Sequence, residues 1–223
     1  MSFPRKRESS SWIPRSSRGM TRVLSKKAVL LDLDNTLYPY EPSHQAGLRG
    51  AYLYYRRHIE KISWPVFQDA VRRARLVIHH RLKTQGASHA RLLYFKTLLE
   101  MRGGRTNFTQ TRALEQAYWQ AYLAKMRRKA WVLPFLRFCR RQHKRVVIVT
   151  NQTAEIQLRK IRKLGIAAWI DFLVSSEEAG IEKPHPRIFQ LALQKAGCRA
   201  AEAVIIGDDL RADRAAGIAF IKV

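Results

Sequence analysis

The sequence predicts an α/β protein: a doubly wound parallel sheet that carries one all-helical insertion. Three observations lead to this class. Apolar runs such as "RVVIVT" and "AVIIGD" are continuous instead of alternating, the pattern of strands covered on both faces. From Trp131 onward such runs alternate with stretches of helical periodicity, which implies parallel strands joined by crossover helices. Between residues 41 and 129 only helical spacing occurs. A chain of 223 residues is long enough for a core domain with a second one inserted in it.

The elements are expected in the following order. Residues 1–22, "MSFPRKRESSSWIPRSSRGMTR", are rich in Ser and Arg, contain two prolines and show no periodicity. They read as a disordered basic tail outside the fold, and their composition also suits a translated intergenic stretch, with Met20 as the start of the protein proper. The first strand spans about 27–33. Four helical segments follow, "HQAGLRGAYLYYRRHIEKI", "WPVFQDAVRRARLVIHHRL", "SHARLLYFKTLLEMR" and "TQTRALEQAYWQAYLAKM", punctuated by Gly86, Gly103 and Gly104. A short helix at "LPFLRFCRRQH" leads to the strand "RVVIVT". After it come a helix over 154–164, a strand at "FLVSS", a helix over 186–196, the strand "AVIIGD", a short helix and a last strand at "IAFIKV". The expected division is a core from 23–40 and 130–223, with a helical cap from 41–129.

Charge and cysteine content narrow the functional classes. Against 17 Asp and Glu stand 42 Lys and Arg, a formal net charge of +25 with a pI near 10.9. Such an excess attracts polyanions and phosphorylated ligands. The two cysteines, Cys139 and Cys198, form no Cys-x-x-Cys pair, so neither a zinc site nor a disulfide framework is expected. No apolar run approaches the ~20 residues that span a bilayer, and the N-terminus has no secretory apolar segment. The cytoplasm is the expected location.

The chemistry concentrates at strand ends. In "KKAVLLDLDNTLYPY" a buried strand finishes on Asp32 and Asp34. Burying a carboxylate costs several kcal/mol, and two carboxylates repel, unless a cation lies between them or one keeps a proton. A metal ion, an acid/base role, or both are therefore implied. Two further strands end in polar residues, at Thr150-Asn151 and Asp208-Asp209. Parallel strands align such ends along one edge, where α/β proteins bind their ligands. Clustered carboxylates suit Mg²⁺, a hard cation that takes oxygen ligands.

"DLDNTL", "VVIVTN", "EKPHPRIF" and "AVIIGDDLRAD" together resemble, in order, the four motifs of the haloacid dehalogenase superfamily of hydrolases, over residues 28–223. The resemblance implies that family's Rossmann-like core and a Mg²⁺-dependent phosphomonoester hydrolase working through an aspartyl-phosphate. Asp32 would be the nucleophile and Asp34 the general acid and base. Thr36 would orient Asp34 at the substrate-binding edge. Thr150 and Asn151 would bind the phosphoryl oxygens, and Lys183 would neutralise Asp32 and the phosphoryl group. Asp32, the Asp34 carbonyl and Asp208 would hold the metal, while Asp209 or Asp213 would support Lys183 or a metal-bound water. Asn35 stands where the family commonly has Gly, and Asn tolerates a left-handed backbone.

An acid at position 34 favours phosphate esters over halides, which leave without protonation. The helical insert between the first two motifs resembles the cap of the family's small-molecule phosphatases, which implies a small phosphorylated metabolite over a macromolecule. "DNTLYP" and "SSEEAGIEKPHPRIFQLAL" are similar to nucleotidase-like and sugar-phosphatase-like members, which places a nucleoside 5′-monophosphate narrowly ahead of a sugar phosphate. The alternative is a catalytically weakened member of the family that binds nucleotides or RNA through its basic surface. Tyr38, Tyr40 and His44 lie where the chain enters the cap and could touch the leaving group or pack the hinge. His79, His80, His89, His143 and His185 read as ordinary helix, loop or core residues. After Asp213 the chain is shorter than the family pattern, which threatens the placement of Asp208.

Overall fold

The structure, a computed structural model, describes residues 23–215 and 217–223, so the basic tail lies outside the described residues. Strand β1 (Ala28–Leu31) leads into α1 (Tyr40–His58), α2 (Trp64–Leu82), a 3-10 turn (Gly86–His89), α3 (Arg91–Gly103) and α4 (Phe108–Lys125). The chain then returns through α5 (Val132–Arg141), β2 (Arg145–Thr150), α6 (Ala154–Lys163), β3 (Phe172–Ser175), α7 (Ser176–Ala179) and α8 (Pro186–Ala196). It finishes with β4 (Ala203–Gly207), α9 (Leu210–Asp213) and β5 (Ala219–Lys222). Among the described residues, no helix is long and apolar enough to cross a membrane.

The five strands are all parallel, in the order β3-β2-β1-β4-β5. Strand β1 is central: Leu31 pairs with Ile148 on one side and Ile206 on the other. Successive side chains point to opposite faces of a strand, so β1 feeds two cores. Val29 and Leu31 join the cluster that contains Phe135, Leu136, Ile156 and Ile161 of α5 and α6. Ala28 and Leu30 join Ile188, Phe189 and Ala192 of α8. Both faces of the sheet are therefore covered, and this accounts for the unbroken apolar runs. Each fully buried aliphatic side chain contributes about 1.5–3 kcal/mol.

Strand β1 ends at Leu31, two residues short of the expected boundary. The Asp32 amide still donates to Ile206 O (3.0 Å), after which the chain turns through Asn35 at a φ of 68°. Asp32 and Asp34 thus sit on a loop rather than within a strand.

The four helices between β1 and α5 do not form a separate hydrophobic unit. Leu33, Leu37, Tyr38, Tyr122 and Met126 belong to the same buried cluster as Val29 and Leu31. Helices α1 and α4 approach closely because α1 carries Gly47 and Gly50. A Cβ at Gly50 would stand 2.7 Å from Ala117 O, and one at Gly47 would stand 2.7 Å from the Tyr118 ring. Asn107 caps α4 by accepting from the Gln110 amide (2.9 Å), and α3 ends where Gly104 adopts a φ of 66°.

Candidate active site

Since β1 lies between β2 and β4, the loops that leave these three strands are neighbours. Chain connections run from β1 to one side of the sheet and later return to β4 on its other side, so a crevice opens at this edge. Asp32, Asp34, Asn35, Thr150, Asn151, Lys183, Asp208, Asp209 and Asp213 line one cavity of about 350 Å³.

Asp32 is held at both oxygens. Lys183 Nζ donates to its Oδ1 (2.7 Å), and the Thr36 hydroxyl lies 2.6 Å from its Oδ2. The same ammonium donates to Asp213 Oδ1 (2.6 Å). Lys183 arrives on the loop between α7 and α8, and its amide donates to Asn151 Oδ1 (2.8 Å). Asp208 receives Asn35 Nδ2 on Oδ2 (3.0 Å) and has the Thr36 hydroxyl 3.1 Å from Oδ1. Gly207 makes the arrangement possible, because a Cβ there would lie 2.0 Å from Asp213 Oδ2.

Asp34 has its own set of partners. Lys160 Nζ, on α6, lies 2.7 Å from Oδ1 and 2.9 Å from Oδ2. Gln157 Nε2 lies 3.1 Å from Oδ2 and 2.7 Å from the Thr150 hydroxyl, and Tyr38 donates its hydroxyl to Oδ1. Burial pushes the Asp34 carboxyl up, but Lys160, Tyr38 and Gln157 outweigh it, and the group stands below its ordinary value. Asp32 is the opposite case. Burial raises its carboxyl to about 6 against the pull of Lys183, with Asp213 adding to the rise. Lys183 itself is raised above the usual lysine value, burial being overcome by the two carboxylates.

This charge pattern bears on a cation. Carboxylate oxygens of Asp32, Asp208 and Asp213 lie within 4.8 Å of one another. Lys183 contacts two of the three, while Asp208 has, among the described residues, only neutral donors around it. Three carboxylates facing one ammonium leave negative charge uncompensated, and the all-oxygen donor set fits a hard divalent ion such as Mg²⁺.

The placements correct some expectations. Thr36 does not orient Asp34. The turn at Asn35 folds it back beneath Asp32, so its hydroxyl serves Asp32 and Asp208, and it is fully buried away from the cavity. Asp213 is the residue that holds Lys183, whereas Asp209 accepts from the Arg211 amide (2.8 Å) and caps α9. His89 is no ordinary loop residue: it walls the cavity and places Nε2 2.9 Å from Glu182 Oε1. Despite the short chain after Asp213, the loop from β4 still brings Asp208 beside Asp32. Tyr38 is fully buried against Asp34 and Tyr122, and Tyr40 and His44 face a cavity under the cap helices.

Lys160 and Gln157 were missed. One signal was available, because Ile156, Lys160 and Leu164 share one helical face at i, i+4, i+8, and a lysine within an apolar stripe needs a buried anion.

The comparisons with known proteins agree with this geometry. Residues 26–220 match the family model of haloacid dehalogenase-like hydrolases. The chain is 39% identical over 186 residues to a ribulose-1,5-bisphosphate 5-phosphatase of Halopiger xanaduensis, covering 83% of this chain and 78% of that protein. It is 31% identical over 202 residues to a glyceraldehyde 3-phosphate phosphatase of Methanopyrus kandleri, covering 88% and 83%. Among solved structures, a 2-haloacid dehalogenase from Pseudomonas syringae pv. Tomato DC3000 superposes with a TM-score of 0.67 at 22% identity, covering 84% of this chain and 80% of that one. The chain belongs to the haloacid dehalogenase-like hydrolases. Within that family it is an enzyme of the phosphatase kind, like the curated relatives it matches.

Proposed function

We propose that the protein is a Mg²⁺-dependent phosphomonoester hydrolase that works through an aspartyl-phosphate, on a small phosphorylated sugar. The observation that carries this reading is the pair of differently partnered carboxylates: Asp32 on Lys183, and Asp34 on Lys160. One carboxylate is set to attack phosphorus, and the other to handle protons.

In the first step a carboxylate oxygen of Asp32 forms a bond to phosphorus as the P–O bond to the alcohol breaks. Asp34, in its protonated form, gives its proton to the departing oxygen. Lys183 and the Thr150 hydroxyl stabilise charge on the transferring group. In the second step water attacks phosphorus, Asp34 takes the water proton, and inorganic phosphate leaves as Asp32 is regenerated. Asp32, Asp208 and the Asp34 carbonyl would hold Mg²⁺, which supplies charge stabilisation at the phosphoryl oxygens. Thr36 keeps Asp32 and Asp208 in register, Asp213 keeps Lys183 in place, and Asn151 clamps the lysine loop. The cap, in this reading residues 41–129, encloses the leaving group and excludes water.

Of four curated relatives that match along more than 80% of this chain, three carry names of phosphorylated sugars and one is a phosphoserine phosphatase, and this moves the reading away from the nucleoside monophosphate favoured by the sequence. The test is hydrolysis of an aryl phosphate with Mg²⁺ and with chelator, followed by a panel of sugar phosphates and nucleotides. Turnover should require the metal and should fall by at least about 10³-fold in Asp32→Asn. A folded wild-type protein with no turnover overturns the reading.

A further inference from the structure

A second cavity, of about 240 Å³, lies among the cap helices and shares Tyr40, Arg75, His89 and Arg91 with the wall of the catalytic cavity. Arg91, the first residue of α3, is only 7% exposed. Its guanidinium donates to Tyr40 OH (2.6 Å), His89 O (2.6 Å) and Tyr118 OH (3.3 Å), all of them neutral acceptors. Among the described residues, no carboxylate pairs with Arg91 or with Arg75, although Arg72 nearby is paired with Asp69. The cavity wall carries these three arginines and no acid. Burial together with Arg91 and Arg75 pushes the neighbouring His44 down to about 3, so the imidazole is neutral and adds no charge.

A buried cation without an anion costs several kcal/mol. The tyrosines offset part of that cost through their hydroxyls, and their rings lie near the guanidinium, Tyr118 at 5.4 Å and Tyr94 at 5.5 Å. Hydroxyl acceptors and ring faces do not neutralise a charge. Guanidinium groups match phosphate and carboxylate geometry, and these stand where the catalytic cavity opens into the cap.

We propose that Arg91, assisted by Arg75, forms a subsite for a second anionic group on the substrate, so that the enzyme acts on phosphomonoesters whose far end carries another phosphate or a carboxylate. The subsite rests on the phosphatase reading of the catalytic cavity and adds the class of substrate. The scissile phosphate lies against Asp32, the carbon chain passes beneath Tyr40 and His89, and the remote anion meets the two guanidiniums. No bond changes at this second site.

The experiment compares α,ω-alkanediol bisphosphates of three to six carbons with the matching ω-hydroxyalkyl monophosphates and ω-carboxyalkyl monophosphates. With wild-type protein and Mg²⁺, the best bisphosphate should exceed its hydroxyl analogue in kcat/KM by roughly 30-fold, the size of a charge-assisted interaction. In Arg91→Gln the ratio should fall to about 3 or less, and in Arg75→Gln it should fall by about 3-fold. Arg75 is exposed, so that variant keeps the test alive should Arg91→Gln fail to fold. An equal gain from the carboxylate series supports an anion site open to both chemistries. A ratio near 1 in the wild type overturns the proposal, as does a ratio unchanged in a folded Arg91→Gln. Calorimetric titration of Asp32→Asn protein with the same bisphosphates reads the subsite without turnover. Absent hydrolysis of aryl phosphate would then count against the phosphatase alone, and equal binding of mono- and bisphosphate against the subsite alone.

Discussion

At the scale of single residues, the contrast between the two aspartates of "DLD" comes from their cations. Burial holds Asp32 high, because Lys183, shared between Asp32 and Asp213, does not offset it and Asp213 adds to the rise. Among the described residues Lys160 pairs with no second carboxylate, and Asp34 stands low. This difference makes a prediction about pH. In the proposed mechanism an alkyl phosphate needs Asp34 protonated as its alcohol leaves, whereas an aryl phosphate has a leaving group that departs without help. The ratio of alkyl to aryl kcat/KM should therefore fall as pH rises through the Asp34 pKa. Lys160→Met removes the main opponent of burial, so the Asp34 pKa rises and the fall in the ratio should move to higher pH by one to two units, a typical shift for losing a close opposite charge (roughly). Paired pH profiles of the two ester types read this directly. A ratio that stays in place would mean that Lys160 only packs the site.

At the scale of elements, the contact between α1 and α4 rests on absent side chains. Both helices belong to the buried cluster that runs into β1, so their spacing controls how Tyr38 and Tyr122 meet beside Asp34. A helix interior prefers other residues to Gly by about 1 kcal/mol, so a purely local view would expect Gly50→Val to be tolerated. Packing decides the other way, because the new Cβ would stand 2.7 Å from the Ala117 carbonyl oxygen, part of a helix backbone that cannot rotate aside. Overpacking of this kind costs about 3 kcal/mol, and the melting temperature should fall by roughly 6–12 °C for a chain of this size. Thermal unfolding followed by circular dichroism measures it, and an unchanged midpoint would show that the two helices can slide apart.

At the scale of the whole molecule, the 3-10 turn Gly86–His89 of the helical insertion is seated beside the loop that carries Lys183. Glu182 accepts from Ser88 Oγ (2.9 Å) and lies 2.9 Å from His89 Nε2, while its amide donates to Thr84 O (2.8 Å). Gly86 sits directly on α7, where a Cβ would stand 2.6 Å from the Glu177 amide and 2.7 Å from Ser176 Oγ. The loop that delivers Lys183 is thus also the floor on which the helical insertion rests. Gly86→Val should wedge the two apart and raise KM for substrates held by the cap, on the order of 10-fold for the loss of one enclosing contact. The smaller aryl phosphate, which makes fewer cap contacts, should be affected less. Steady-state kinetics with both substrates separates the two, and equal effects would show that the wedge disturbs the catalytic floor itself.

The sequence by itself determined the class of fold, the order of elements and most of the residues that line the candidate site. Buried strands read as continuous apolar runs because both faces of a parallel sheet are covered, and polar residues at their ends stand out against that background. Asp32, Asp34, Thr150, Lys183 and Asp208 were legible for this reason. Asn35 was legible too, since its φ of 68° is a local property of the turn. Tertiary structure alone decided the partners. Lys160, Gln157 and Arg91 lie on helices that elsewhere carry ordinary basic and polar residues; Lys160 alone stands in an apolar stripe, and even that pattern does not say which carboxylate it meets. Whether Thr36 serves Asp34 or Asp32, and whether Asp209 or Asp213 meets Lys183, depends on the direction a side chain takes after a turn. Composition and spacing do not encode that direction. It is set where strands, loop and cap come together, because only there do burial and unbalanced charge select one partner over another.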